Sequence, residues 1–462
     1  MNFEKVYFLG IGGIGMSALA RYFMHEGKSV AGYDRVPSQL TAELEAEGAV
    51  IHYEDDIRMI PEQFTEPETT IVVYTPAVPS DHTEYRYFCE NGFEVVKRSQ
   101  MLGHLSQNKL VMAVAGTHGK TTTTTLTAWL NREVTGGGSA FLGGISKNFS
   151  NNLVLGGGRR LAVEADEFDR SFLRLWPDVA VITSADADHL DIYGTHEAVK
   201  EAFAQFVRQI KPGGALIIKK GVDIVLDNPH IDILRYSLDE PCDFYASRIE
   251  PTGDGHFTFD IVTPDGTIRD CRLGVPGLVN IENAVAAAAM MCCAARIEGS
   301  TPDAEALRRG LATFSGVKRR FECYVNTPSA VYIDDYAHHP RELSAAIESV
   351  KGMYPSRHFT AVFQPHLYTR TRDFCCEFAE ALSKADDVLL LPIYPAREEP
   401  IEGVETGIIA ERVTVPCRIV EREGLAAAIA EMKTDVVVTF GAGNIDACCD
   451  AVAEVIRKKA GL

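Results

Sequence analysis

Residues 109–130 read KLVMAVAGTHGKTTTTTLTAWL. An apolar run leads into a loop built on glycines, and a threonine-rich stretch with helical character follows. In G-x-x-x-x-G-K-[ST] loops the backbone amides wrap a phosphate, the lysine reaches the β/γ-phosphates and the hydroxyl binds magnesium. Gly119, Lys120 and Thr121 fill the last three positions, while Val114 stands where the first glycine belongs. Gly116, between Ala115 and Thr117, supplies the tight turn instead. Because the loop follows a strand and opens a helix, nucleotide triphosphate binding is expected over a packing turn with an incidental lysine. The Thr121 to Thr125 run reads as the first turns of that helix.

A second phosphate signal lies upstream, in VYFLGIGGIGMSALARYF from Val6. Gly10, Gly12 and Gly15 fit G-x-G-x-x-G between a short apolar strand and a helix. The next strand, SVAGYD, ends in Asp34, at the distance where an acidic residue takes a ribose hydroxyl pair. Such glycines let the backbone approach a diphosphate whose charge sits at a helix N-terminus. A dehydrogenase needs no phosphate loop. An enzyme that consumes ATP on a substrate carrying its own nucleotide diphosphate needs both.

At 462 residues the chain exceeds one ordinary core. The formal net charge of −19 argues against nucleic acid as the main partner but leaves room for anionic small substrates in a locally basic pocket. Eleven cysteines, with no C-x-x-C and no zinc-like spacing, point to reduced, buried thiols. The charged start runs straight into a strand with no signal-peptide pattern, and the apolar run AVAAAAMMCCAA is too short to span a bilayer. A cytoplasmic protein without membrane insertion, a monomer or weak homodimer, is expected.

Strand, Gly-rich turn and helix begin three times, so three α/β units are expected: residues 1–105, 106–315 and 316–462. The middle one also contains a hairpin around Pro264-Asp265-Gly266 and a helix opened by Thr301-Pro302.

At GTHGKT the chain resembles the Mur ligases, whose signature lacks the first glycine, so Val114 follows the family pattern. Further matches fall in order: GIGGIGMSALA, EADEFDRSFL, SADADHLDIYG, KRRFE, DDYAHHP, FQPHLYTRT, IYPAREEPIEGV and FGAGNID. The resemblance implies a Rossmann-like N-terminal domain for the UDP sugar and a central phosphate-loop ATPase domain with a parallel sheet and small antiparallel hairpin. A Rossmann-like C-terminal domain would bind the amino acid and close over ATP. DDYAHHP with FQPHLYTRT looks most like the members that join L-alanine to UDP-N-acetylmuramate through an acyl phosphate, with ATP and Mg2+ as cofactors, in peptidoglycan precursor synthesis.

Residue by residue, the resemblance places Gly10, Gly12, Gly13 and Gly15 at the UDP diphosphate, with Asp34 and Ser38 near the uridine. Gly116, Thr117, His118, Gly119, Lys120, Thr121 and Thr122 would hold ATP, and Thr121, Glu164 and His189 the magnesium ion. Asp166 and Glu167 would be acidic neighbours rather than ligands. Asn280 and Asn283 fall on the adenine side, where Val279 replaces a histidine common in relatives. Arg320 would neutralise the γ-phosphate, with Arg319 as the alternative. Asp335 would take the ATP ribose, Tyr336 would stack near adenine, and His338 would face the reaction centre. His366 and Arg370 would hold the amino acid, and Leu367 stands where relatives often carry a basic residue. Three rivals are weighed: a ligase attaching an intact murein tripeptide to the same sugar, a nicotinamide-dependent oxidoreductase, and a nucleotide sensor with a dead ATP site.

Overall fold

The computed structural model describes residues 3–107, 109–186, 190–252, 255–396 and 398–461, with only the backbone of Asp169, Leu190 and Asp191. The chain divides into two compact units. The first comprises Met1–Tyr245, Ile261–Ile268 and Asn283–Leu311; the second comprises Ala246–Asp260, Arg269–Glu282 and Ala312–Leu462.

The first unit opens with five parallel strands, β1 (Lys5–Leu9), β2 (Ser29–Tyr33), β3 (Val50–His52), β4 (Thr70–Tyr74) and β5 (Glu94–Lys97), in the order β3-β2-β1-β4-β5. Period-two alternation sends Val6 and Phe8 into one apolar cluster and Tyr7 and Leu9 into another on the opposite face. The helices α1 (Ile14–His25), α2 (Gln39–Ala46), α3 (Thr83–Glu90) and α4 (Arg98–Ser106) connect or follow these strands. Strand order reverses between β1 and β4, so the crevice at their carboxyl ends lies beside the glycine loop that starts α1.

The next sheet contains β6 (Leu110–Ala115), β7 (Ser139–Ser146), β8 (Asn151–Val154), β9 (Arg160–Ala165), β10 (Val179–Ile182), β11 (Ala215–Lys219) and β12 (Asp232–Ser237). It runs β12-β11-β10-β6-β9-β7-β8 and continues beyond β12 into β13 (Phe244–Pro251), β14 (Phe257–Thr263) and β15 (Gly266–Arg272). Strand β6 is buried throughout, as a central parallel strand requires. It feeds α5 (Lys120–Thr135), which contains the whole threonine run. The helices α6 (Leu190–Tyr193) and α7 (His196–Arg208) follow β10, and Pro264-Asp265 forms the expected turn between β14 and β15.

Three expectations need correction. The apolar run Ala284–Ala295 belongs to α8 (Leu278–Ile297), whose 20 residues are long and apolar enough to cross a membrane by length and composition. Its apolar character instead serves the core, since 78% of its most apolar window is buried inside the protein. Thr301-Pro302 does not open the next helix: α9 (Ala304–Thr313) is capped by Asp303, whose Oδ1 accepts the Glu305 N–H at 2.9 Å. All eleven cysteines are free, but only Cys271, Cys293 and Cys449 are buried, because apolar neighbours in sequence do not fix which face of an element a thiol occupies.

In the second unit, β16 (Glu322–Asn326), β17 (Val331–Asp335), β18 (Phe359–Phe363), β19 (Asp387–Leu390), β20 (Cys417–Ile419) and β21 (Val436–Phe440) form a sheet ordered β16-β17-β21-β18-β19-β20. Among the described residues of this sheet, only the β16–β17 pair is antiparallel. After β17 comes α10 (Pro340–Met353), and after β18 come α11 (Tyr368–Asp373) and α12 (Cys375–Leu382). The carboxyl ends of β17 and β18 therefore present DDYAHHP and FQPHLYTRT at the same edge of one sheet.

Candidate active site

The loop after β6 is shaped by two glycines. Gly116 has φ +133°, and a Cβ there would fall 2.0 Å from Thr183 Oγ1. Gly119 has φ +79° and caps α5 in the left-handed region. Residues after β10 brace the loop from outside: Ser184 Oγ lies 2.7 Å from Thr117 Oγ1 and accepts the His118 N–H at 2.9 Å. His118 Nε2 is 3.3 Å from Asp186. Thr123 Oγ1 donates to Asn283 Oδ1 at 3.2 Å, so Asn283 packs against the first turn of α5. Asn280 is directed elsewhere, its amide donating to the Pro276 carbonyl at 2.6 Å. Val279, beside it on α8, is exposed.

Two side chains from this loop meet carboxylates at the end of β9. Thr121 Oγ1 donates to Glu164 Oε1 at 3.1 Å, and Glu164 Oε2 accepts the Gly143 N–H at 3.1 Å. A Cβ on residue 143 would sit 2.2 Å from that carboxylate, so glycine is required for β7 to pass this close. Lys120 Nζ donates to both oxygens of Glu167, at 2.9 and 2.7 Å, and lies 3.9 Å from Asp166. Burial works against the Lys120 ammonium, but Glu167, Asp166 and Glu164 outweigh it and hold its pKa above the ordinary lysine value. Glu167 is 1% exposed, and burial raises its pKa against the pull of Lys120. His189 lies outside the described residues.

In the glycine loop, Gly10 has φ +84° and α1 begins at Ile14. Gly13 is the N-cap of α1 and has no side chain to cap it, which leaves the first amides of the helix to the loop. Gly12 N–H donates to Asp34 Oδ2 at 2.7 Å, so the acidic residue at the end of β2 also pins the loop. Ser38 caps α2, its hydroxyl accepting the Thr41 N–H at 3.2 Å.

The sequence reading assigned nothing to Arg98, which the structure sets directly over this loop: a Cβ on Gly15 would lie 2.9 Å from Arg98 Nη1. Its guanidinium has no hydrogen-bond or carboxylate partner among the described residues, and Arg98 and Ser99 line a small cavity with Glu164, Asp166 and Ser171. A signal for it existed in the sequence. Arg98 is the first residue of α4, where the helix dipole disfavours a cation unless an anion is to be bound.

In the second unit, Arg319 and Arg320 sit side by side in the turn just before β16 but have different partners. Arg319 donates to the Gly443 and Gly441 carbonyls at 3.0 and 2.6 Å, which uses it in the fold. Both guanidinium groups lie over the Tyr336 ring, at 5.1 Å for Arg319 and 4.7 Å for Arg320, but that of Arg320 makes no hydrogen bond or close ion pair among the described residues. Asp335 accepts the Phe321 and Ala337 N–H groups at 2.7 and 2.9 Å; burial, offset in part by Arg320, pushes its pKa up to about 6.

His338 Nδ1 lies 3.0 Å from the Tyr336 carbonyl, and its ring is 6.0 Å from that of His366. Burial lowers the His338 pKa, with Arg370 and Arg320 adding to the effect and Glu342 opposing it. His366 stacks on Tyr394 at 5.8 Å. Arg370, half-buried on α11, has no side-chain hydrogen bond or ion pair among the described residues. Leu367 caps α11 at φ +73°, a backbone position that turns the chain rather than presenting a charge.

Family models match in consecutive blocks: the Mur ligase family catalytic domain over residues 5–110, the Mur ligase middle domain over 114–291, and the Mur ligase glutamate ligase domain over 319–443. The chain belongs to the Mur ligase family. It is 52% identical to the UDP-N-acetylmuramate--L-alanine ligase of Parabacteroides distasonis, across 98% of this chain and 97% of that one. It is 48% identical to the Phocaeicola vulgatus protein of the same name, across 99% of each. Among solved structures, the UDP-N-acetylmuramate-alanine ligase of Thermotoga maritima superposes with TM-score 0.77 at 25% identity, across 99% of this chain and all of that one. A murein peptide ligase from Psychrobacter arcticus shares the fold at TM-score 0.65, with 24% identity across 98% of each chain. The three-domain Mur ligase architecture accounts for the three sheets, and the nicotinamide reading of the opening glycines falls with it.

Proposed function

We infer that this Mur ligase joins L-alanine to the carboxylate of UDP-N-acetylmuramate with hydrolysis of ATP to ADP and phosphate, in peptidoglycan precursor synthesis in the cytoplasm. The observation that carries this reading is the presence of two phosphate loops in one compact unit, the second with Lys120, Thr121 and Glu164 gathered at its mouth. Full-length identity to ligases of that name supports the choice of substrates.

Amide formation from a carboxylate needs a better leaving group than oxide. A carboxylate oxygen of the sugar attacks the γ-phosphorus of ATP and ADP departs. The alanine nitrogen then attacks the acyl carbon, phosphate leaves with the activating oxygen, and the amine gives up a proton. Catalysis is thus mainly positioning and charge neutralisation. We assign Gly116 to Thr122 to the phosphates, with Lys120 at the β/γ-phosphates, Asn280 and Asn283 to the adenine side, and Arg320, Asp335 and Tyr336 to the remainder of ATP. Gly10, Gly12, Gly13, Gly15, Asp34, Ser38 and Arg98 are assigned to the UDP sugar, and His366 and Arg370 to alanine. A neutral His338 with its proton on Nδ1, facing the Tyr336 carbonyl, keeps Nε2 available to accept the amine proton.

The Thr121 hydroxyl and Glu164 carboxylate fit a magnesium ion: both are hard oxygen donors, held 3.1 Å apart at the mouth of the phosphate loop. When bound, magnesium would neutralise charge on the β- and γ-phosphates. His189 completes this proposed set. We assign residues 1–105 to the sugar, 106–315 to ATP and 316–462 to the amino acid. The protein is proposed to act as a monomer or weak homodimer.

The test is phosphate release measured with UDP-N-acetylmuramate and L-alanine supplied separately and together. Release that needs both supports the reading. Release with L-alanyl-γ-D-glutamyl-diaminopimelate in place of alanine, and none with alanine, would transfer the protein to the murein tripeptide ligases.

A further inference from the structure

Cys375 and Cys376 are the first two residues of α12, with their Sγ atoms 3.9 Å apart. Cys376 is exposed and Cys375 half-buried, so one thiol meets solvent while its neighbour stands behind it. No side chain caps α12. Burial raises the Cys375 thiol pKa, opposed by Arg412, the cation that favours its thiolate. The charged side chains flanking the pair on the chain are Arg372, Asp373 and Glu377; Arg372 is paired with Asp373 at 2.7 Å.

The residue before the pair joins two proposed acceptor elements. Phe374 N–H donates to the Arg370 carbonyl at 3.0 Å and so closes α11. The Phe374 ring packs edge-on against His339 at 5.1 Å, next to His338. The Phe378 N–H donates to the Phe374 carbonyl at 3.0 Å, starting α12 from the same residue. A disulfide needs its sulfurs about 2 Å apart, whereas successive side chains on a helix diverge by roughly 100°. Closing the 3.9 Å gap therefore unwinds the first turn of α12 and pulls on Phe374.

We propose that Cys375 and Cys376 form a thiol modification site that low-molecular-weight disulfides oxidise to an adjacent-residue disulfide, weakening amino-acid binding through Phe374 and α11. The Cys376 thiolate attacks one sulfur of the external disulfide, forming a mixed disulfide and releasing a thiolate. Cys375, after losing its proton, attacks the Cys376 sulfur and expels the second external thiolate. One external disulfide becomes two thiols, and the protein loses two hydrogens. The effect on alanine rests on the assignment of Arg370 made above; the chemistry of the pair does not.

The full-length protein is incubated with oxidised glutathione, its remaining thiols are alkylated, and the fragment containing residues 375 and 376 is weighed. The expected fragment carries no alkyl group and lacks two hydrogens, and Cys376→Ser abolishes that product. In parallel, the KM for L-alanine rises roughly tenfold, as expected for a displaced charged contact, while the KM for ATP stays put. The Cys375→Ser/Cys376→Ser variant keeps its alanine KM under oxidant. Full alkylation of the pair, a stable glutathione adduct on Cys376, or equal loss of alanine affinity in the double variant would overturn the proposal, as would a disulfide that leaves the alanine KM unchanged. Absence of alanine-dependent turnover in the reduced protein would instead overturn the assigned function and leave the fragment result standing.

Discussion

Thr121 Oγ1 and Glu164 Oε1 lie 3.1 Å apart, on residues that follow β6 and end β9, two strands paired in parallel at Val114 and Glu164. The sheet thus brings together two side chains far apart in sequence. Glu164→Gln keeps the hydrogen-bonding size but removes the charge. We expect turnover to fall by roughly a hundredfold and the magnesium requirement to rise. Titration of ATP with and without magnesium checks this independently of turnover: magnesium should tighten ATP binding in the parent protein and have little effect in the variant. An unchanged magnesium effect would remove Glu164 from the metal site.

Lys120 is coupled to a carboxylate that water barely reaches. Lys120→Ala removes the ammonium that donates to both oxygens of Glu167, which is 1% exposed, so this variant should lose stability as well as activity. Breaking a buried pair from one side costs about 3–5 kcal/mol. The double variant Lys120→Ala/Glu167→Gln should recover most of the melting temperature and none of the turnover. Recovery of both would show that the lysine serves only the fold.

Arg98→Ala should raise the KM for UDP-N-acetylmuramate roughly ten- to a hundredfold, the loss of one charge-assisted contact, and leave the KM for ATP unchanged. The motivation is the guanidinium over Gly15 at the start of α1, which has no hydrogen-bond or ion-pair partner among the described residues. A rise confined to ATP would move Arg98 to the other phosphate site.

On the strand that leads into the glycine loop, Tyr7 OH lies 2.7 Å from both His52 Nε2 and Glu84 Oε2, and all three side chains are buried. Burial raises the Glu84 pKa from 4.5 to about 7, with the Asp55 charge adding to the rise and the Tyr7 hydroxyl and a backbone hydrogen bond from Asp56 opposing it. A carboxyl that holds its proton longer when folded contributes stability below its unfolded pKa and loses it as pH rises through the folded value. Burial lowers the His52 pKa, which works in the opposite direction around its own titration. Glu84→Gln is neutral throughout and isolates the carboxyl: its melting temperature relative to the parent should climb between pH 4.5 and about 7 and then level off. A pH-independent difference would show that Glu84 titrates normally.

The two phosphate loops were legible because each is local: glycines at fixed spacing, between a strand and a helix, describe their own backbone. Asp34 was legible as an acidic strand end, but its bond to the Gly12 N–H is a contact across β1 and β2 that spacing cannot supply. The choice between Arg319 and Arg320 was beyond the sequence, since both are arginines in one turn. The Gly441 and Gly443 carbonyls, more than a hundred positions away, together with Asp334 and Asp446 show that the fold uses Arg319. Arg98 was passed over because its target, the Gly15 backbone, belongs to a different stretch of chain. The start of α9 was misplaced by two residues because the proline signal outweighed the Asp303 carboxylate that caps the helix.

Arg370 decides the acceptor assignment. Its half-buried guanidinium has no carboxylate or carbonyl partner among the described residues, in a chain with 64 acidic and 45 basic side chains. An arginine left unpaired amid such an excess of acid is available to a ligand, and alanine offers one carboxylate, one ammonium and a methyl group. A forked, charged contact contributes on the order of 1.5–3 kcal/mol. Arg370→Lys keeps the charge and loses the fork, so the KM for L-alanine should rise roughly ten- to a hundredfold while that for ATP barely moves. Arg370 also lowers the His338 pKa, so Arg370→Met should raise it, a shift that the ring resonances report in an NMR titration without any substrate. A risen His338 pKa with an unchanged alanine KM would keep Arg370 beside the histidine but remove it from the amino acid. No shift in either would place it outside the site.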